Sequence, residues 1–357
     1  MSDQIIQKIQ ASVEDAIRHQ LFSCAQVTIA DAHSIIASLA VGNTRISQNY
    51  SFVPPMPVTE RSLFDIASIT KPVVTAALVM KAVDEGVLSF DQKLISIPQF
   101  IFPPWLLGDS IAELLSHQTQ LPAWIDFHGA TPRVENHEQA RDHILSTISR
   151  LSPRDDGTTW CYSDLGYMLL GFILELVYGK SLDAVFREKI AEPLGLENDM
   201  VFTPLRYIMK KEIPATCPMG NDFIQGHPDD ANARSLSHIA GHAGLFASAR
   251  AITIYIQKLL ACDFPVSRQI IAHCLNYHSE LTPFALGWDR PTTADSLSGR
   301  MPSDPVLGHL GFTGCSVWFD LNTRRIVTFL TNRTHTNADP KSISELRRSI
   351  YKLAWSL

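Results

Sequence analysis

Ser68 and Lys71 stand three residues apart in the segment LFDIASITKPVVTAALVMKAVDEG, at the predicted start of a helix. Residues at that spacing share one helix face. The unpaired N–H groups and positive dipole end of a helix N-terminus favour negative charge, so a serine there gains stabilisation of its alkoxide and of a neighbouring oxyanion. Lysine can help remove the serine proton, a role that needs burial or a second cation to lower its pKa. The same spacing also fits an ordinary helix start, with the serine as cap and the lysine on the surface. Pro72 suits a first helical turn and disfavours helical geometry in the residue before it, which keeps the boundary close to both side chains.

Two further segments offer chemistry. In GTTWCYSDLGYMLLGFILELV, the run Tyr162, Ser163, Asp164 forms a polar turn before a strongly apolar helix. Near a lysine the Tyr162 phenol can act as general base and later as acid, while Asp164 can bind substrate or orient Lys71. The plain structural alternative has Ser163 or Asp164 capping the helix and Tyr162 filling an apolar corner. In GHLGFTGCSVWFDL, Gly308, Gly311 and Gly314 surround His309 at the start of a β-run. Glycines in a strand mark close backbone approach, which lets a strand edge present an N–H group to an acyl carbonyl.

Two kinds of structure must position these groups. Ile5, Ile6, Ile9, Val13 and Ile17 repeat at helical spacing in an amphipathic first helix, and a hairpin is predicted from 26–30 and 35–41. Strand character returns in FALGW, SVWFDL and RIVTFLTN, with a turn at 322–324 and a last amphipathic helix from about Lys341. Between them the chain reads mainly as helices broken by Pro and Gly. The expected organisation is α/β, about 1–75 and 260–357, with a mainly helical insertion over about 76–259.

Composition narrows the function classes. Of 357 residues, 45% are hydrophobic and 18% charged, which excludes a disordered chain. A net charge of -6 removes the basic footprint of sequence-independent nucleic-acid binding. No stretch reaches the roughly 20 apolar residues of a membrane-spanning helix. The six cysteines form no C-x-x-C pair, and the first helix lacks the unbroken apolar run of a secretion signal, so a reducing, cytoplasmic setting is expected. His117, His242 and His335 have no companions at ligand spacing, so they read as structural, and neither metal nor cofactor is expected. His242 in the GHAG loop is placed to border a cleft. Trp124, Trp160 and Trp288 read as core or pocket wall. Loops 98–108, 125–138 and 215–234 are expected to shape the pocket.

In order along the chain, Ser68-Ile69-Thr70-Lys71, Tyr162-Ser163-Asp164 and His309-Leu310-Gly311 resemble the S-x-x-K, Y-x-N and H/K-T/S-G motifs of the serine β-lactamase and DD-peptidase superfamily. The branch of class C β-lactamases, D-aminopeptidases and related esterases is the most similar. LLSHQTQLPAW resembles that family's LLTHTSGLP segment, and AGHAGLFASARAI its AGGL-S loop, so the likeness runs from about residue 22 to 335. It implies an antiparallel sheet flanked by helices, an all-helical region, and a site between them. The three motifs must then meet in one catalytic unit.

By the same resemblance, Ser68 is the nucleophile of an acyl-enzyme, and Lys71 and Tyr162 share the proton transfers. The N–H groups of Ser68 and Phe312 form the oxyanion hole, and Asp164, His309 and Gly311 line the substrate site. Two positions depart from the pattern. Asp164 replaces an amide donor by an anion, and Leu310 stands where threonine or serine supplies a hydroxyl. Both departures bear on β-lactam or D-Ala-D-Ala recognition more than on acyl transfer. The expected activity is therefore hydrolysis of a small ester or amide. A class C-type β-lactamase or D-alanyl-D-alanine carboxypeptidase is the alternative within the fold, and a catalytically silent binding or assembly protein is the alternative outside enzymology.

Overall fold

The computed structural model describes residues 2–46, 53–130, 136–293 and 295–357. Its strands are β1 (Cys24–Ala30), β2 (Ile35–Gly42), β3 (Phe64–Asp65), β4 (Met200–Phe202), β5 (Pro218–Met219), β6 (Asp222–Phe223), β7 (Leu245–Ala247), β8 (Val306–Leu310), β9 (Ser316–Asp320) and β10 (Ile326–Thr331). Five of them form an antiparallel sheet in the order β2-β1-β10-β9-β8. The chain therefore closes on itself, with Val27 opposite Phe329 and Thr28 opposite Thr328.

Alternation along the strands decides what covers each face. Val27, Ile29, Val327 and Phe329 point to one side, where they bury against Ile9 and Val13 of the helix Ser2–Arg18 and Ile350 of the helix Pro340–Ala354. Each such side chain contributes about 1.5–3 kcal/mol by leaving water. The opposite face of β1 and β10 carries polar residues that bond a third helix, Ala249–Ala261. Gln26 Oε1 accepts the Ala249 N–H at 2.7 Å, and the Thr253 and Thr328 hydroxyls are 2.8 Å apart. That helix lies inside the stretch expected to be the insertion, yet it packs on the sheet. Beyond it lie the helices Ala77–Asp84 and Asp164–Tyr178, with Leu78, Val79, Met168 and Phe172 in the main core. A second sheet, β3-β7-β4, joins this region to the chain just ahead of Ser68.

FALGW differs from the sequence expectation. It is a turn, in which the Ala285 N–H donates to the Trp288 carbonyl at 2.8 Å. Gly287 adopts φ +100°, and a Cβ there would collide with the Ala76 side chain, so the chain bends where strand propensity alone predicts extension. The turn at 322–324 is present, with Asp320 Oδ1 accepting the N–H groups of Asn322 and Thr323 at 2.8 Å. Among the described residues no helix is long and apolar enough to cross a membrane.

Candidate active site

β3 delivers the chain to Ser68. Its pairing of Phe64 with Ala247 is extended by Ile66 N–H donating to the Leu245 carbonyl at 3.2 Å. Ala67 then turns to φ +47°, a left-handed conformation unfavourable for a residue with a Cβ. The buried Asp65 holds it there, because its Oδ1 accepts the Ala67 N–H at 2.9 Å. Burial and the neighbouring Asp229 carboxylate push the Asp65 carboxyl up to about 7, against the pull of its hydrogen bonds.

The helix predicted to begin at Ser68 is not a regular α-helix there. Ser68 lies in a 3₁₀ turn, Ala67–Ile69, Lys71 opens a wider stretch, Lys71–Ala76, and α geometry starts at Ala77. Pro72 has no N–H to donate, and the Thr70 hydroxyl is taken up by the Leu245 N–H at 3.2 Å. The spacing nevertheless brings the two side chains together. Lys71 Nζ donates to Ser68 Oγ at 2.9 Å and to the His242 carbonyl at 3.2 Å.

Lys71 is fully buried, with Asp164 Oδ1 at 2.7 Å and the Tyr162 ring centroid at 4.8 Å. Burial opposes the ammonium, but the Asp164 carboxylate and the Tyr162 phenol outweigh it and hold the lysine above its ordinary range. This overturns the lowered lysine pKa on which a simple lysine base depends. Burial also pushes the Tyr162 phenol up, and Lys71 partly offsets the rise. Asp164 opens the helix Asp164–Tyr178 behind Ser163, whose N–H donates to His117 Nδ1 at 3.0 Å. His117 is buried, its ring 4.6 Å from that of Tyr162, and burial and Lys71 hold its pKa well below the ordinary histidine range. It is a neutral acceptor under the tyrosine motif.

His242, from the GHAG loop, stands on the other side of Lys71. Its Nε2 is 2.9 Å from Asp230 Oδ1, and although burial opposes the Asp230 charge, His242 holds that carboxyl down to about 2. Ligand atoms of Asp164, Asp230 and His242 all lie within 4.8 Å of one another, a grouping that sequence spacing hid. The Lys71 ammonium already supplies the positive charge at this cluster, so an ion pair network accounts for it. Asp65 and Asp230 are the residues missed by sequence reasoning; the only outward sign of either was its position beside a recognised segment.

β8 forms the third wall. His309 is buried, with Nδ1 2.8 Å from the Leu310 carbonyl, and burial with Lys71 pushes it down to about 3, so it is uncharged near neutral pH. After Leu310 the chain turns through Gly311 and Phe312. A Cβ on Gly311 would collide with the Ile66 carbonyl oxygen, so glycine is what lets the turn approach the backbone ahead of Ser68. Thr313 ties the two segments, its hydroxyl donating to the Asp65 carbonyl at 2.7 Å.

These elements enclose a cavity of about 900 Å³, lined by Ser68, Tyr162, Asp164, His309, Gly311 and Phe312, with Trp124 and Trp160 among its walls. Trp288 is instead core, edge-on to Phe319. Of the loops expected to shape the pocket, 215–234 contributes Asp229, Asp230 and Ala231, while 98–108 contributes nothing among the described residues. In loop 125–138, residues 131–135 lie outside the described residues.

Comparison with known proteins agrees with this architecture. The model of the family described as Beta-lactamase matches residues 13–352. An N-acetylmuramyl-L-alanine amidase of Bacillus subtilis (strain 168) is 29% identical, over 93% of this chain and 81% of its own length. A protein of Escherichia coli (strain K12), named as a candidate D-alanyl-D-alanine carboxypeptidase, is 30% identical over 80% of this chain and 73% of its own. The crystal structure of a class C β-lactamase from Rhodobacter sphaeroides shares the fold, with a TM-score of 0.72, 18% identity and 98% of each chain covered. The chain belongs to the Beta-lactamase family, a group of serine hydrolases that work through an acyl-enzyme.

Proposed function

We propose that this protein hydrolyses a small ester or amide through an acyl-enzyme on Ser68. The observation that carries the reading is the contact of Ser68 Oγ with Lys71 Nζ at 2.9 Å, on the wall of a cavity that Tyr162 also lines. Lys71 and Tyr162 share the proton transfers, both held above their ordinary ranges, the lysine by the Asp164 carboxylate and the phenol by burial. The pair, short of one proton, takes the Ser68 proton as Oγ attacks the acyl carbonyl, and it then returns a proton to the leaving group. The N–H groups of Ser68 and Phe312 hold the oxyanion. Water, deprotonated by the same pair, releases the acid as Ser68 Oγ takes back a proton.

The ester or small-amide reading draws support from Asp164 and Leu310, which replace the amide and the hydroxyl of β-lactam-recognising members, and from the uncharged His309. Carboxypeptidase or β-lactamase activity is the second reading, favoured by the 30% identity to the candidate D-alanyl-D-alanine carboxypeptidase. All six cysteines are free thiols, which supports the cytoplasm as its compartment, to be checked by cell fractionation.

A fluorophosphonate probe tests the chemistry: it is expected to add one probe mass to the wild type and none to Ser68→Ala. Labelling that survives the substitution would sink the assignment. A panel of p-nitrophenyl esters, D-amino-acid amides, a chromogenic cephalosporin and a D-Ala-D-Ala peptide then separates the two readings.

A further inference from the structure

We propose that Asp289 forms a subsite in this cavity for an ammonium group that the acyl substrate carries away from its reacting carbonyl; this rests on the reading of the cavity as the substrate site. Asp289 follows the FALGW turn and exchanges two backbone bonds with Gly308 of β8. Its N–H donates to the Gly308 carbonyl at 2.8 Å, and the Gly308 N–H donates to its carbonyl at 3.0 Å. Neighbouring side chains in extended backbone take opposite faces. Trp288 is buried in the core, and Asp289 lines the cavity together with Phe284 and Trp160, whose rings are 5.6 Å apart.

A charge taken out of water is unfavourable unless it is paired. Among the described residues four carboxylates line the cavity, and three of them have partners in the chain. Asp164 has Lys71 at 2.7 Å, Asp230 has His242 at 2.9 Å, and Asp229 accepts the Cys217 N–H at 3.1 Å and acts on Arg333. Asp289 is the exception. Only the N–H of the next residue, Arg290, favours its charge, and the Arg290 guanidinium is turned to the carbonyls of Leu275 and Tyr277. Arg333 and Arg347 also line the cavity, yet neither acts on Asp289. Burial therefore pushes this carboxyl up to about 7, with no cation of the described chain to counter the rise.

A substrate ammonium supplies the missing charge, and the aromatic rings of Phe284 and Trp160 nearby also attract an organic cation. The position of Asp289 on β8 decides where on the substrate that group lies. Gly308 is two residues before the end of the strand, about 7 Å along it, and the turn with the Phe312 N–H comes only after that end. The ammonium therefore belongs on the distal part of the acyl or leaving group, not on the atom next to the carbonyl. The competing account is bracing alone, since the carboxylate accepts the Arg290 N–H and steadies the segment beside β8. Bracing affects every ester equally, whereas a cation subsite discriminates by charge.

The test compares two matched ester pairs at about pH 8, where the carboxylate is ionised and an alkylammonium keeps its proton. p-Nitrophenyl 4-(aminomethyl)benzoate against p-nitrophenyl 4-(hydroxymethyl)benzoate places the charge on the acyl side. 4-(Aminomethyl)phenyl acetate against 4-(hydroxymethyl)phenyl acetate places it on the leaving side. The expected result is a kcat/KM ratio of roughly tenfold or more in favour of the ammonium in at least one pair. Asp289→Asn, which keeps the size and an acceptor but not the charge, is expected to erase it. Asp289→Ser repeats the comparison should the asparagine variant fail to fold. No preference in either pair for the wild type overturns the proposal, and so does a preference that survives the loss of the Asp289 charge. Calorimetry on Ser68→Ala protein reads the same discrimination without turnover. Failure of all four esters to turn over thus counts against Ser68 as nucleophile, while equal binding of charged and neutral partners counts against the subsite.

Discussion

Asp164 Oδ1 lies 2.7 Å from Lys71 Nζ, at the position where the family pattern has asparagine. The carboxylate favours the ammonium, so removing its charge lowers the lysine pKa. The reactive form of the Lys71–Tyr162 pair lacks one proton, and the pair titrates as a unit. In Asp164→Asn the rise of kcat/KM with pH is therefore expected to begin at lower pH than in the wild type. A pH profile that stays in place would remove Asp164 from control of the pair.

Asp65 Oδ1 accepts the Ala67 N–H, and its Oδ2 accepts the Asp229 N–H at 2.6 Å. Its folded pKa of about 7 lies above the unfolded value, so folding takes up a proton between about pH 4 and 7 and this group's contribution to stability falls as pH rises through that window. The slope is at most about 1.4 kcal/mol per pH unit. In Asp65→Asn that slope is expected to vanish from denaturation curves measured across the window. Below pH 7 the protonated carboxyl loses an acceptor for one of the two N–H groups. An acid limb of kcat/KM near 7 in the wild type, absent from Asp65→Asn, is the matching kinetic result.

Gly311→Ala forces a Cβ against the Ile66 carbonyl oxygen and must move the turn bearing Phe312 away from Ser68. A displacement of about 1 Å at a reacting centre costs roughly a hundredfold in rate. Rapid-mixing measurements of acylation should show a loss of that order. An unchanged rate would mean that the turn does not serve the oxyanion.

His117→Ala leaves the Ser163 N–H without its acceptor in a buried place, at a cost of about 1–3 kcal/mol. His117→Asn retains an acceptor and should recover part of it. Chemical denaturation of the three proteins checks the order wild type, then asparagine, then alanine.

The legible part of the site was local or ordered. Ser68 and Lys71 meet because three residues of any helical turn place them on one side, even though that turn is not regular α-helix. Tyr162 and His309 were found by their order along the chain, and the structure brings both to the same cavity. Gly308 was recognised as a close approach, and a Cβ there would strike the Trp318 ring. Asp230 escaped because its partner His242 is reached through a loop with left-handed residues at Ser237 and His238, which no periodicity encodes. The lysine's charge escaped too, since a pKa depends on a carboxylate 93 positions away in sequence. FALGW has the composition of a strand and the backbone of a turn, because Gly287 answers to the helix beneath it rather than to its own segment.

The pairing of β1 with β10 carries one more consequence. Ser68 leaves the ribosome well before β8 and the turn through Gly311 and Phe312 that line the same cavity. A growing chain holds the serine without the partner backbone, and pairing of such sequence-distant strands is slow. The wall opposite Ser68 is therefore complete only once β8 has been made and has joined the sheet.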